Sequence, residues 1–157
     1  MSAQQSKVGD SVRAETTSTE MPDIRLWRST TLRRNDRTPW QARQATGLWL
    51  ADSPPSVRSD ALQIVAELVA NVLQHVPAGR RRDWLKVRLG FGDGFIRLEV
   101  IDPGTPNPEP CFIPRQVSPM EETGRGLGIV ARLSIRCGTH VIEDSHRVVW
   151  ADIAVGA

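Results

Sequence analysis

Three short stretches carry residue types that could do chemistry together. They are Glu67, Asn71 and His75; then Asp102, Pro103 and Gly104; then Gly124, Arg125, Gly126, Leu127 and Gly128. Glu67, Asn71 and His75 are spaced four apart, so on an α-helix they fall along one narrow stripe. A carboxylate beside an amide at the edge of a core fits a magnesium–phosphate site, because Mg²⁺ takes oxygen ligands and is usually shared with substrate phosphates. The Asn71 carbonyl oxygen can coordinate such an ion, and the Glu67 carboxylate can accept a proton from an attacking hydroxyl or water. His75 extends the same stripe toward the helix C-terminus, where an imidazole also serves simply to stabilise the helix end. The plainer account of the stripe is a partly exposed polar face with i,i+4 pairs.

Asp102 follows the apolar run Ile96 to Ile101. A carboxylate at a strand end can accept a hydrogen bond from an exocyclic amine such as adenine N6, and Gly104 lets backbone approach a base closely. Asp, Pro and Gly are also ordinary turn residues. The glycines at 124, 126 and 128 precede a helix candidate starting at Arg125, so they are read as a loop opening that helix. Backbone amides there would face an anion at a helix N-terminus. No Lys-Ser/Thr follows, so this is not a Walker loop, and no strand immediately precedes it as in a dinucleotide fingerprint. Arg115 and Arg125 flank the proposed phosphate position, as charge stabilisers or as solvated surface groups.

Elements that could position these residues are legible. Thr38 and Pro39 read as the N-cap and first residue of a helix to about Ala51. A stronger helix runs from about Val57 to Val76, with Ala61, Ile64, Val65, Leu68, Val69, Val72 and Leu73 as its buried stripe; Pro77 and Gly79 end it. Ile24 to Thr31 is a strand candidate. Leu85, Val87 and Leu89 alternate with Lys86 and Arg88, and after a turn at Gly92–Gly94 the residues Ile96, Leu98 and Val100 alternate with Arg97 and Glu99, a hairpin. Between Pro103 and Thr123 lie six of the eleven prolines, which excludes a regular helix or central strand and suggests a lid. A helix with Leu127, Val130, Ala131 and Leu133 follows, then strands near Arg136–Glu143 and Arg147–Ile153. This order predicts an α+β fold, a two-layer α/β sandwich with one mixed or antiparallel sheet and helices on one face.

Composition narrows the class. The chain has 157 residues, 39% hydrophobic and 24% charged, enough for one domain with its own core. Residues 1–23 are polar with almost no bulky apolar side chains, and read as a disordered tail preceding a domain over 24–157. A net charge of +2 does not announce a nucleic-acid binder, and the densest basic run, Arg80–Arg82, reads as a solvated loop. Cys111 and Cys137 have no disulfide or metal spacing, and His75, His140 and His146 form no zinc pattern. The sequence holds no bilayer-spanning run and no signal-peptide core, so the expectation is a cytoplasmic protein with no membrane or direct nucleic-acid partner.

In this order the motifs resemble those of the histidine-kinase-like (GHKL, Bergerat-fold) ATPases, and most of all the small bacterial anti-sigma-factor serine kinases and their stand-alone regulatory relatives. Glu67 to His75 is similar to the family's N box, Asp102 to Gly104 to its first glycine box, and Gly124 to Gly128 to its second; Arg147 to Ile153 looks like the closing strand. The resemblance spans about Ile24 to Ile153. It implies ATP and Mg²⁺ as ligands, with Glu67 as general base, Asn71 as magnesium ligand, Asp102 as adenine contact, and Gly126 and Gly128 opening the phosphate loop. It also implies phosphorylation of a serine on an anti-anti-sigma (STAS) partner, sequestration of a sigma factor, and in many members a homodimer. Pro106 stands where the family often has a second glycine in the first box. The competing reading is a nucleotide-sensing module that regulates a partner without phosphoryl transfer.

Overall fold

The longest helix shows why the chain folds as it does. Ala61, Ile64, Val65, Leu68, Val69 and Val72 recur at helical spacing, and all six are fully buried. In the computed structural model, which describes residues 23–79, 81–104 and 122–156, they lie on helix α2 (Pro55–His75). Before it come strand β1 (Ile24–Arg33) and helix α1 (Thr38–Trp49); after it, β2 (Trp84–Gly92), β3 (Phe95–Asp102), α3 (Glu122–Leu133), β4 (Arg136–Ile142) and β5 (His146–Ala154). The readings of the N-terminal tail over 1–22, of the proline-rich segment with Pro106 and Arg115, and of Cys111 lie outside the described residues.

The strands form one sheet in the order β1-β2-β3-β5-β4, with every pairing antiparallel. Alternation sends Leu85, Val87 and Leu89 of β2, Ile96, Leu98 and Val100 of β3, and Val149, Ala151 and Ile153 of β5 to one face, where they share a core with α2, Ala42 and Leu50 of the α1 region, and Val130 of α3. The result is the expected α+β sandwich, with helices on one side of an antiparallel sheet.

Three local readings change. Thr38 is not the N-cap of α1: Arg37 holds that position without a side-chain cap, and Thr38 begins the helix. Its buried hydroxyl is committed elsewhere, donating to the Arg33 carbonyl at 2.8 Å and accepting from the Asn35 N–H at 2.8 Å, which closes the turn out of β1. The second change concerns the charged residues of β3. Arg97 and Glu99 face away from the helices, yet they are only 4% and 7% exposed. Arg97 makes two bonds to Asp152, at 2.7 and 2.9 Å, and lies 4.0 Å from the Trp150 ring centre. Glu99 meets Arg88 at 3.3 Å, and Arg88 stacks 3.9 Å from the Trp27 ring centre. Two tryptophans and two arginines thus roof the side of the sheet opposite the helices. A Cβ at Gly138 would come within 2.9 Å of the Trp150 ring, so the absence of a side chain there gives the ring its seat. Burial raises the Glu99 pKa, against the lowering pull of Arg88 and Arg97. The third change is the start of α3, which bears directly on the site.

Candidate nucleotide site

The helix that carries Glu67, Asn71 and His75 packs directly over β3, the strand that ends at Asp102. Asp102 has the strand parity of Leu98 and Val100, so its side chain faces the helical layer. Along α2 the three polar residues pass from half-buried Glu67, through Asn71 at 7% exposure, to exposed His75 on the last turn. Arg34, bonded to the Leu73 and Val76 carbonyls and within electrostatic reach of Asp102, puts the C-terminal end of α2 and Asp102 at the same end of the sheet.

Their polar atoms are unusual for an interior. Asp102 is fully buried. Its Oδ1 accepts the Gly104 N–H at 2.6 Å, whereas its Oδ2 has no hydrogen-bond partner among the described residues. The Asn71 Nδ2 is likewise buried without a partner among the described residues. Most buried polar side chains are satisfied, so such atoms mark places where a water or a polar ligand can bind. Burial raises the Asp102 pKa; the Gly104 N–H bond and the Arg147 and Arg34 charges work against that rise without cancelling it.

Gly104 is needed for its backbone. Its φ is +74°, in the left-handed region, and a Cβ there would sit 2.5 Å from the Ser145 carbonyl oxygen. Ser145, in the short turn before β5, itself has a φ of +62°.

The glycine run is placed differently from the expectation. The chain is already helical at Glu122, so Gly124, Arg125, Gly126, Leu127 and Gly128 lie within the first turns of α3 rather than in a loop before it. Glycine tolerates helical angles as well as loop angles. The buried Val130 and the core-packed Leu133 hold the helix against the sheet and draw the preceding turns into register. Only the first four N–H groups of a helix lack intrahelical acceptors. Amide donors for an anion are therefore expected N-terminal to Gly126 and Gly128, not from those two glycines. Among the described residues no group of three or more His, Cys, Asp and Glu could cage a metal.

Sequence reasoning missed two arginines. Arg34 Nη1 and Nη2 donate to the carbonyls of Val76 (2.7 Å) and Leu73 (3.3 Å), holding the last turn of α2. Arg82, from the run read as a solvated loop, is half-buried and donates through Nη2 to the carbonyls of Pro103 (3.3 Å) and Gly104. That reading holds for exposed Arg81 and fails for Arg82, whose bonds span more than twenty residues and leave no local signal. Cys137, by contrast, is a free, half-buried thiol on β4. Among the described residues no helix is long and apolar enough to cross a membrane.

Comparison with known proteins agrees with this geometry. Residues 34–152 match the family model for the histidine kinase-like ATPase domain. No curated protein sequence matches the chain. Among solved structures, the chain is similar to SiaB in the SiaB–SiaC complex from Pseudomonas aeruginosa, with a TM-score of 0.64 at 13% identity over 94% of this chain and 99% of the other. It is also similar to the RsbU and RsbW domains of Rv1364c from Mycobacterium tuberculosis, with a TM-score of 0.59 at 18% identity over 83% of this chain; it spans 33% of that longer polypeptide.

Proposed function

The chain belongs to the histidine kinase-like ATPase domain family, and from that premise we propose that it is a cytoplasmic Mg-ATP-dependent serine kinase that controls transcription by partner switching. The single observation that carries the nucleotide part is the Asp102 carboxylate, fully buried at the end of β3 with Oδ2 unpartnered among the described residues. In this reading Oδ2 accepts the adenine amino group, Gly104 gives the base room, and the N-terminal turn of α3 faces the phosphates. The Asn71 side-chain oxygen holds Mg²⁺, and His75 borders the nucleotide at the outer end of the same stripe. Mg²⁺ supplies charge neutralisation across the phosphates when bound. Glu67 takes the proton from a serine hydroxyl of the partner as that oxygen bonds to the γ-phosphorus and the bond to the β-phosphate oxygen breaks, releasing ADP.

The partner is an anti-anti-sigma (STAS) protein, and a sigma factor is the regulated target. This assignment rests on the family resemblance. It is supported by the two structural neighbours, one solved with SiaC and the other beside an RsbU domain. A homodimer is the expected assembly on the same ground. The second reading is a nucleotide-sensing module without transfer, favoured by Pro106 at the position of the second box glycine.

The test is a thermal-shift titration with ATP and ADP, with and without Mg²⁺, followed by a phosphate-transfer assay on a serine-bearing STAS substrate. A ligand at one hundred times its Kd adds about 2.7 kcal/mol of stability. Wild type should show a magnesium-dependent shift, Asn71→Ala should lose that dependence, and Glu67→Ala should keep the shift and lose transfer. No shift with any nucleotide would refute the ATP site. A full shift with no transfer by wild type would leave the sensing module.

A further inference from the structure

Of the two described non-glycine residues with left-handed backbone, Ser145 (φ +62°) abuts Gly104, and Arg81 (φ +61°) precedes the Arg82 that contacts Pro103 and Gly104. Such conformations persist only where the surroundings over-determine them, and they cluster at functional sites. Ser145 presses its carbonyl where a Gly104 Cβ would be. Arg81 lies in a turn closed by the Arg82 N–H on the Gly79 carbonyl at 2.9 Å and held by Trp84 Nε1 on the Arg81 carbonyl at 3.2 Å. That turn sends Arg82 to the carbonyls of Pro103 and Gly104. On its other side, the Arg34 N–H donates to the Asp83 carbonyl at 2.7 Å, while the Arg34 guanidinium grips the end of α2. Arg34 and Arg82 thus tie the helix bearing Asn71 to the turn bearing Asp102.

We propose that Arg82 is a positioning residue for base recognition: by clamping the Pro103 and Gly104 carbonyls it fixes the Asp102 carboxylate where it meets an adenine. The inference rests on the ATP-site reading above. Both bonds come from one nitrogen, Nη2, whose two N–H groups are fixed in the guanidinium plane, a geometry that a lysine ammonium on a flexible stem holds less well. Gly104 closes the linkage from clamp to carboxylate, since its carbonyl meets Arg82 and its N–H meets Asp102 Oδ1. The buried Nε of Arg82 has no hydrogen-bond partner among the described residues, and its two described side-chain bonds both go to the Asp102–Gly104 turn.

The experiment is calorimetric titration of the full chain with Mg-ATP and Mg-GTP, on wild type, Arg82→Met and Arg82→Lys. Loss of two backbone contacts should weaken ATP about tenfold in Arg82→Met. GTP affinity should change little, so the preference for ATP narrows, and Arg82→Lys should fall between. If ATP and GTP weaken in step, Arg82 is structural only and the proposal is overturned. It is also overturned if folded Arg82→Met binds ATP like wild type. Should Arg82→Met not melt cooperatively, Arg82→Lys decides, and an unchanged ATP preference there refutes the idea. If wild type binds no ATP, the inference falls with the nucleotide reading itself; if wild type binds and the variants match it, only the role of Arg82 fails.

Discussion

Replacing Asp102 by Asn should make the free protein more stable and the ATP complex far weaker. The Asp102 carboxylate is fully buried, and among the described residues its hydrogen bond is from the Gly104 N–H at 2.6 Å. Asparagine keeps an oxygen for that N–H and removes the buried charge. On the ligand side it substitutes an NH₂ donor for the Oδ2 acceptor, so a donor confronts the adenine amino donor. A hydrogen bond to a charged group is worth about 1.5–3 kcal/mol. Taking about 3 kcal/mol, because a buried donor is also left unpaired, ATP affinity falls by roughly a factor of one hundred.

The sign of the stability change follows from the titration. The folded-state pKa of Asp102 is raised above its ordinary 3.8 by burial. Between that value and the raised one, the folded protein holds a proton that the unfolded chain has lost. The contribution of Asp102 to stability therefore falls as pH rises through this window, and the penalty is complete above it. The difference in unfolding free energy between wild type and Asp102→Asn should thus move against wild type as pH is raised from about 3.8. At neutral pH each kcal/mol relieved corresponds to about 2–4 °C in Tm for a chain of this size. Urea unfolding across pH gives the first quantity and calorimetry the second. A variant that binds ATP within threefold of wild type would refute the adenine contact. A variant less stable than wild type at neutral pH would show that the fold fully compensates the buried carboxylate.

Two further outcomes test the fold. Arg97→Met should destabilise by about 3 kcal/mol in urea unfolding, because it leaves the buried Asp152 only the half-exposed Arg136 at 3.1 Å; a loss below about 1 kcal/mol would mean that Arg136 alone suffices. Leu68→Ala, one residue beyond Glu67 and fully buried, should cost about 2–5 kcal/mol and lower the urea midpoint with an unchanged slope; a changed slope would instead indicate a remodelled unfolded state.

The parts of this fold that were legible are those with local period. The α2 stripe from Ala61 to Val72 and the hairpin across Gly92–Gly94 announce themselves because each apolar residue repeats at the spacing of its own element. What depends on distant strands was not legible. Arg97 and Glu99 alternate with apolar neighbours as residues of a solvated face do, and only the register that sets Arg97 beside Asp152, with Trp150 close by, reveals that they are covered. Thr38 has the right type for an N-cap, but its hydroxyl is claimed by Arg33 and Asn35. For the site, residue types picked out Glu67, Asn71 and Asp102, whereas Arg34 and Arg82 act through backbone carbonyls, which have no sequence signature. The glycines at 124–128 were misassigned to a loop because glycine is silent about which backbone it will adopt.

The two sides of the sheet use buried polarity in opposite ways, and the difference bears on function. Opposite the helices, Arg97, Glu99 and Asp152 are each matched by a counter-charge, and the covering tryptophans stack on arginines; that layer is complete within the protein. On the helical side, Asn71 Nδ2, Arg82 Nε, Asp102 Oδ2 and, on α1, Thr46 Oγ1 are buried with no hydrogen-bond partner among the described residues. An unsatisfied buried group costs about 1–3 kcal/mol, so the same chain that satisfies an elaborate charge layer on one side tolerates several such costs on the other, two of them at Asp102 and at the Arg82 that contacts its turn. Poor packing does not account for this, because Leu68 and Val72 on α2 and Val100 on β3, next to those atoms in sequence, are fully buried. A ligand able to meet an acceptor and donors at once would recover that free energy on binding, which is why the Asp102→Asn protein should gain stability by the same change that costs it the nucleotide.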